Sequence, residues 1–193
     1  MLKARKPQLF AKFISETCSE LESIIKLSHG VFDKFTGDGV LAFFPDFYSG
    51  PDAGLLALDA AQRCQEAFSE CYKQHRRSFA TVMTDVGLGI GIDYGPVHLL
   101  RVAGGITVVG SPVVYACRLS GAPAGHVYVN QPAFEVMFDK HGSYCYASKS
   151  SLDIKHEGNI LCYDVKLGKT RFNAAKPEWQ QAHEVSNNSG ELE

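Results

Sequence analysis

Apolar residues at Phe10, Phe13, Ile14, Cys18, Leu21, Ile24 and Ile25 recur at helical spacing between charged ones, which predicts an amphipathic helix over residues 7–27. The period then shortens. Val31, Phe32 and Phe35 on one side of Thr36-Gly37-Asp38-Gly39, and Val40, Leu41, Phe43 and Phe44 on the other, predict two paired strands joined by a tight turn. Gly50, Pro51 and a capping Asp52 open a second long helix to about residue 77, with Leu55, Leu56, Ala60, Cys64, Phe68 and Cys71 on its apolar face. Residues 86–93 alternate glycine with large aliphatics, a strand pattern, and Tyr94-Gly95-Pro96 turns the chain into a further strand over 97–102. Ser111-Pro112 starts a helix that Gly121 and Pro123 stop. A strand at 126–129, a helix at 131–138 and strands at 144–147 and 160–165 complete the pattern. The alternation predicts one α/β (α+β) domain over residues 1–168. Past Gly168 the composition turns to Asn, Glu, Ser and Gly, with Trp179 the only large apolar anchor, so residues 169–193 read as a flexible tail.

Composition narrows the function classes. At 193 residues the chain is long enough for one well-packed domain and short for two. A formal net charge of −2 implies no basic face, which disfavours nucleic acid as the main partner. No run approaches a membrane span and the basic start MLKARKPQLF lacks a following apolar stretch, so the chain is expected in the cytoplasm. Cys18, Cys64, Cys71, Cys117, Cys145 and Cys162 are scattered singly without a C-x-x-C pair, and the histidines form no H-x-x-x-H pair; zinc and dithiol redox sites are not indicated. Gly87, Gly89 and Gly91 alternate within a strand instead of opening a helix, and no Walker A sequence exists, so neither a dinucleotide fingerprint nor a P-loop is present.

Chemistry concentrates on the first hairpin. Asp38 lies between two glycines, which lets the backbone bring a carboxylate close to a bulky ligand or a metal ion. A turn-forming aspartate is the commoner role of such a D-G pair. Lys34, four residues earlier, is available to a second ligand or a second subunit. Arg118, near the end of the 111–120 helix, suits the helix dipole, and Thr107 suits a strand.

The string KFTGDGVLAFF, with a helix before and after it, resembles the metal-binding hairpin of class III nucleotide cyclases, which convert ATP or GTP to the 3′,5′-cyclic monophosphate. GIGIDYGPV is similar to the same family's GIxxGxV strand turn, and GSPVVYACR to its G-x-x-V-N-x-A-x-R helix. Ile154-Lys155 with Tyr163-Asp164-Val165 fits its closing turn and strand. Each motif alone is weak; the combination, in family order from about Phe10 to Val165, is specific.

The resemblance implies a ferredoxin-like βαββαβ core with additional C-terminal strands, and a homodimer whose sites lie at the subunit interface. It implies a metal on Asp38 (Mg²⁺ or Mn²⁺), purine contacts from Lys34 and Thr107, transition-state stabilisation by Arg118, and triphosphate binding by Lys155. Lys34 with Thr107 resembles the adenine-selecting pair of threonine-type adenylyl cyclases, which makes ATP the expected substrate ahead of GTP. Two departures stand out. Val114 replaces the family's ribose-orienting asparagine, and no F-x-D-I-like first strand with its metal aspartate precedes the first helix, where the first acid is Glu16. Two readings follow: an adenylyl cyclase acting by two-metal-assisted attack of the ribose 3′-hydroxyl, or a catalytically impaired module for nucleotide binding or dimerisation. The G-G-D/E-E-F turn of diguanylate cyclases is absent.

Overall fold

A computed structural model describes residues 5–37, 39–80, 85–102, 104–154, 158–175 and 177–180, apart from the side chains of 138–140. Helix α1 (Pro7–Leu27) starts with proline in its first turn and buries Phe13, Leu21, Ile24 and Ile25 of the stripe that its periodicity predicts, together with Thr17, while Phe10, Ile14 and Cys18 are half-buried. Strands β1 (Val31–Phe35) and β2 (Val40–Phe43) form the expected antiparallel hairpin. A short helix α2 (Asp46–Ser49) leads to α3 (Ala53–Gln74), which ends in a 3₁₀ turn at Arg76–Ser78. Strands β3 (Ile90–Ile92), β4 (His98–Val102) and β5 (Gly105–Val109) precede α4 (Ser111–Leu119). β6 (Val127–Asn130), α5 (Gln131–His141), β7 (Cys145–Ile154) and β8 (Gly158–Leu167) follow.

Helix α3 is the shared wall of the molecule. One of its faces packs Leu55, Leu58 and Ala61 against Val127, Val129 and Val165 of the sheet. Another packs Ala60 and Cys64 with Leu21, Ile24 and Ile25 of α1 and with Phe32, Val40 and Ala42 of the hairpin. Leu55 and Leu58 are fully buried, each worth about 1.5–3 kcal/mol. At the far end Phe13 meets Phe68 and Phe79 edge-on at 5.8 and 5.1 Å.

The strands form three separate hydrogen-bonded groups. β3, β6, β8 and β7 make a four-stranded sheet in that order, with β3 parallel to β6 and the other pairs antiparallel. The hairpin β1–β2 and the ribbon β4–β5 stand apart from it. A βαββαβ core would join the hairpin to the larger sheet. Among the described residues that ladder is not closed, because β2 pairs only with β1 and β3 only with β6.

Three local expectations change. The strand expected over 86–93 is regular only at Ile90–Ile92, since residues 87–89 run against the backbone of 120–125 in place of another strand. Asp52 stands at the N-cap of α3 but caps nothing with its side chain: its carboxylate accepts Ala175 N–H at 2.7 Å and pairs with His141 at 3.1 Å. The last two strands are longer than their apolar stretches suggest, because the β7–β8 ladder continues from Cys145↔Leu167 to Ile154↔Gly158 through polar residues. Beyond β8, Trp179 stacks on Tyr48 with centroids 5.5 Å apart and donates its Nε1–H to the Tyr48 carbonyl at 2.9 Å.

Candidate functional site

The hairpin meets the ribbon through three side chains. In β1 the pairing register slips between Phe32 and Lys34, so Asp33 is the extra residue of a β-bulge. A regular strand would send Asp33 and Lys34 to opposite faces. The bulge lets both reach Thr107 of β5. Lys34 Nζ donates to Thr107 Oγ1 at 2.5 Å, and Thr107 Oγ1 donates to Asp33 Oδ2 at 2.7 Å. Val108 N–H donates to the same carboxylate oxygen at 3.3 Å, while Lys34 Nζ stands 3.6 Å from it. The Asp33 side chain is only 2% exposed and that of Lys34 48%. A buried carboxylate is tolerable where charge-assisted donors converge on it, as they do here. The sequence pairing of Lys34 with Thr107 is therefore a direct contact. Asp33 was not expected in it; the signal was an acid beside the lysine in a strand, legible only once the bulge is known.

Gly110, with φ +154°, carries β5 straight into α4, and its own Cβ position is closed off by Pro96 O at 3.1 Å. α4 is seated by glycine. A Cβ on Gly91 would fall 2.1 Å from Ala116 O, and one on Gly89 2.3 Å from Ala122 O, so the last turn of α4 and the chain after it lie directly on the backbone of the β3 strand. That is the role of the alternating glycines. Arg118 sits in this last turn, half-buried, its guanidinium carbon 5.8 Å from the Tyr115 ring centroid. Val114, one turn earlier on the same face, is 47% exposed. An exposed valine offers a ligand no hydrogen bond where the resemblance expects an asparagine.

A cavity of about 320 Å³ opens between the turn after β3, the start of α4 and the end of β6, lined by Asp93, Tyr94, Ser111, Tyr115 and Asn130 among others. Burial pushes the Asp93 carboxyl above the usual carboxylate range, offset in part by hydrogen bonds from Tyr94 N–H and the Asn130 side chain. Nothing in the sequence marked it.

Asp38 and Lys155 lie outside the described residues. Among the described residues no group of three or more His, Cys, Asp or Glu side chains could hold a metal ion. Asp33, the carboxylate nearest the hairpin tip, is turned inward onto Thr107 and Val108. The described residues thus do not by themselves fit a divalent metal pair. Also among them, no helix is long and apolar enough to cross a membrane.

No established family profile matches the chain, and no curated protein matches it. Solved structures do. The guanylyl cyclase Cya2 superposes with a TM-score of 0.71 at 20% identity, over 89% of this chain and 87% of that one. The adenylyl cyclase CyaB of P. aeruginosa gives 0.70 at 18% identity, over 88% and 87%. The guanylate cyclase domain of RhGC from Catenaria anguillulae, solved with GTP, gives 0.55 at 17% identity, over 85% and 87%. By its architecture, the chain has the mixed α/β fold of the class III adenylyl and guanylyl cyclase catalytic domains.

Proposed function

We propose that this chain binds ATP and, as a homodimer in the cytoplasm, converts it to 3′,5′-cyclic AMP and pyrophosphate. The observation that carries the reading is the Lys34–Thr107 contact at 2.5 Å, which sets a cationic donor beside a hydroxyl acceptor. Lys34 donates to adenine N1 and Thr107 accepts from the 6-amino group; that edge differs from guanine in the order of its donors and acceptors. In the reaction the ribose 3′-oxygen gives its proton to solvent water and bonds to the α-phosphorus as the bond from that phosphorus to the α,β-bridging oxygen breaks and pyrophosphate leaves. Arg118 meets the charge that grows on the phosphorus oxygens with a planar fork of donors. Lys155 neutralises the β- and γ-phosphates, and Asp38 is the metal ligand, with Mg²⁺ or Mn²⁺ as the ion.

The dimer is supported by the β4–β5 ribbon. Leu100, Val102 and Val109 lie on the face that holds Thr107, and Leu99 and Ile106 on the other, all exposed. Apolar side chains on both faces of one ribbon mark a surface that another protein covers. The functional unit is residues 1–168, a ferredoxin-like core. The second reading, a nucleotide-binding or dimerisation module without turnover, is favoured by exposed Val114.

The test is direct. Purified chain incubated with ATP and Mn²⁺ or Mg²⁺ is expected to form cyclic AMP well above an Asp38→Ala control. Binding of ATP with no turnover above that control selects the second reading as a nucleotide-binding module, and failure to bind any nucleotide removes the cyclase and leaves only a dimerisation module.

A further inference from the structure

We infer that Asp33 is a positioning residue that sets the purine preference of the site by pinning the Thr107 hydroxyl as a hydrogen-bond acceptor; the inference rests on the ATP-binding reading above. A threonine hydroxyl carries one proton and two acceptor lone pairs, and left to rotate it greets a donor or an acceptor equally well. Such a group cannot tell a 6-amino purine from a 6-oxo purine. Here its rotation is not free. Lys34 is an ammonium and can only donate, so at 2.5 Å it occupies a lone pair of Thr107 Oγ1. Val108 N–H can only donate, so at 3.3 Å it identifies Asp33 Oδ2 as an acceptor. The Thr107 proton is left one partner, Asp33 Oδ2 at 2.7 Å. What remains for a ligand is the second lone pair.

The geometry is built for this. The bulge at Asp33 allows neighbouring residues of β1 to hold the same hydroxyl from two sides, and the carboxylate, 2% exposed, is sealed from the bulk solvent that would loosen it. Thr107 itself is half-buried and Lys34 half-exposed, so the outward side of the chain of bonds is open to a ligand while its inward end is sealed. The alternative role, a clasp that merely ties the hairpin to the ribbon, predicts a loss of stability without a change in base preference.

Both donors converge on one carboxylate oxygen, so asparagine can replace aspartate with its carbonyl oxygen in that place, whereas alanine and the similar-sized leucine cannot. The experiment measures Kd for ATP, GTP and inosine triphosphate by calorimetry on the full chain, for wild type, Asp33→Asn, Asp33→Ala and Asp33→Leu. Expected are tighter binding of ATP than of GTP by wild type, a fall of that ratio by about tenfold in whichever acceptor-free variant folds, and restoration to within about threefold of wild type in Asp33→Asn. An unchanged ratio in Asp33→Ala or Asp33→Leu overturns the role of Asp33 while leaving ATP binding intact. Should neither fold, wild type decides: inosine triphosphate, with an oxygen at position 6, must bind about tenfold more weakly than ATP, and equal binding overturns the inference. Wild type that binds no nucleotide overturns the ATP-binding reading, and the inference with it.

Discussion

Replacing Gly91 by alanine tests how α4 is held. The added methyl would fall 2.1 Å from Ala116 O, 2.5 Å from Ser120 N and 2.7 Å from Leu119 Cβ. An ordinary contact is about 3.5 Å, so the deficit at the carbonyl exceeds an ångström. Two of the three obstructing atoms are helix backbone, which cannot rotate aside as a side chain can. The helix must lift, and with it Leu119, fully buried among Ala122, Tyr128 and Cys162. Overpacking of this kind costs about 1–3 kcal/mol, and rigid obstruction puts Gly91→Ala at or beyond the upper end. At roughly 2–4 °C per kcal/mol for a chain of this size, Tm falls by about 6–12 °C. Thermal unfolding followed by far-ultraviolet circular dichroism reads it. Gly105→Ala is the control, because among the described residues a Cβ there meets only Val102 O at 3.7 Å, and its Tm should stay within about 2 °C of wild type. A Gly91→Ala protein as stable as the control would refute the glycine seat.

Burial, thiol exposure and the apolar ribbon each lead to a measurable outcome. Burial raises the Asp93 carboxyl above its ordinary value of 3.8, so the folded state holds that proton more tightly than the unfolded chain; the cost of the ionised form is complete above the raised value, declines as pH falls through it and is gone below the ordinary value. Asp93→Asn should therefore stabilise the protein at pH 7 and lose that advantage toward pH 4, and a variant less stable than wild type at pH 7 contradicts this. Burial pushes the Cys64 thiol up to about 12 and the Cys145 thiol up to about 11, while Cys117 is exposed, so a disulfide reagent at pH 8 should label Cys117 rapidly and Cys64 and Cys145 only on unfolding; peptide mapping distinguishes them. Leu99→Glu combined with Ile106→Glu, on the ribbon face away from Thr107, should give a monomer by sedimentation and abolish cyclic AMP formation, and a dimer that survives both charges rules out the ribbon as the interface.

Elements with a strong period were legible in the sequence. The stripe from Phe13 to Ile25 gave α1, and the glycine-flanked turn gave the hairpin, because both depend on local geometry alone. Lys34 and Thr107 were paired by resemblance, and the structure brings them together across a sequence separation of 73 residues. What sequence could not display depends on the third dimension. The bulge that turns Asp33 inward is set by pairing with β2, and the glycines at 89 and 91 have meaning only when α4 lies on them. Asp52 shows the same limit: its local signal is a helix cap, and a backbone amide 123 residues away takes its carboxylate instead.

The site's parts differ in how they are held. Thr107 and Arg118 belong to one continuous stretch, β5 through Gly110 into α4, clamped below by the β3 backbone and at its side by Asp33. A displacement of that stretch moves the Thr107 hydroxyl and the Arg118 guanidinium together, so on the proposed reading a change to its seating alters binding and turnover at once. Asp38 and Lys155 fall outside that stretch in the sequence. On the proposed reading, base recognition and transition-state charge are coupled through this one unit.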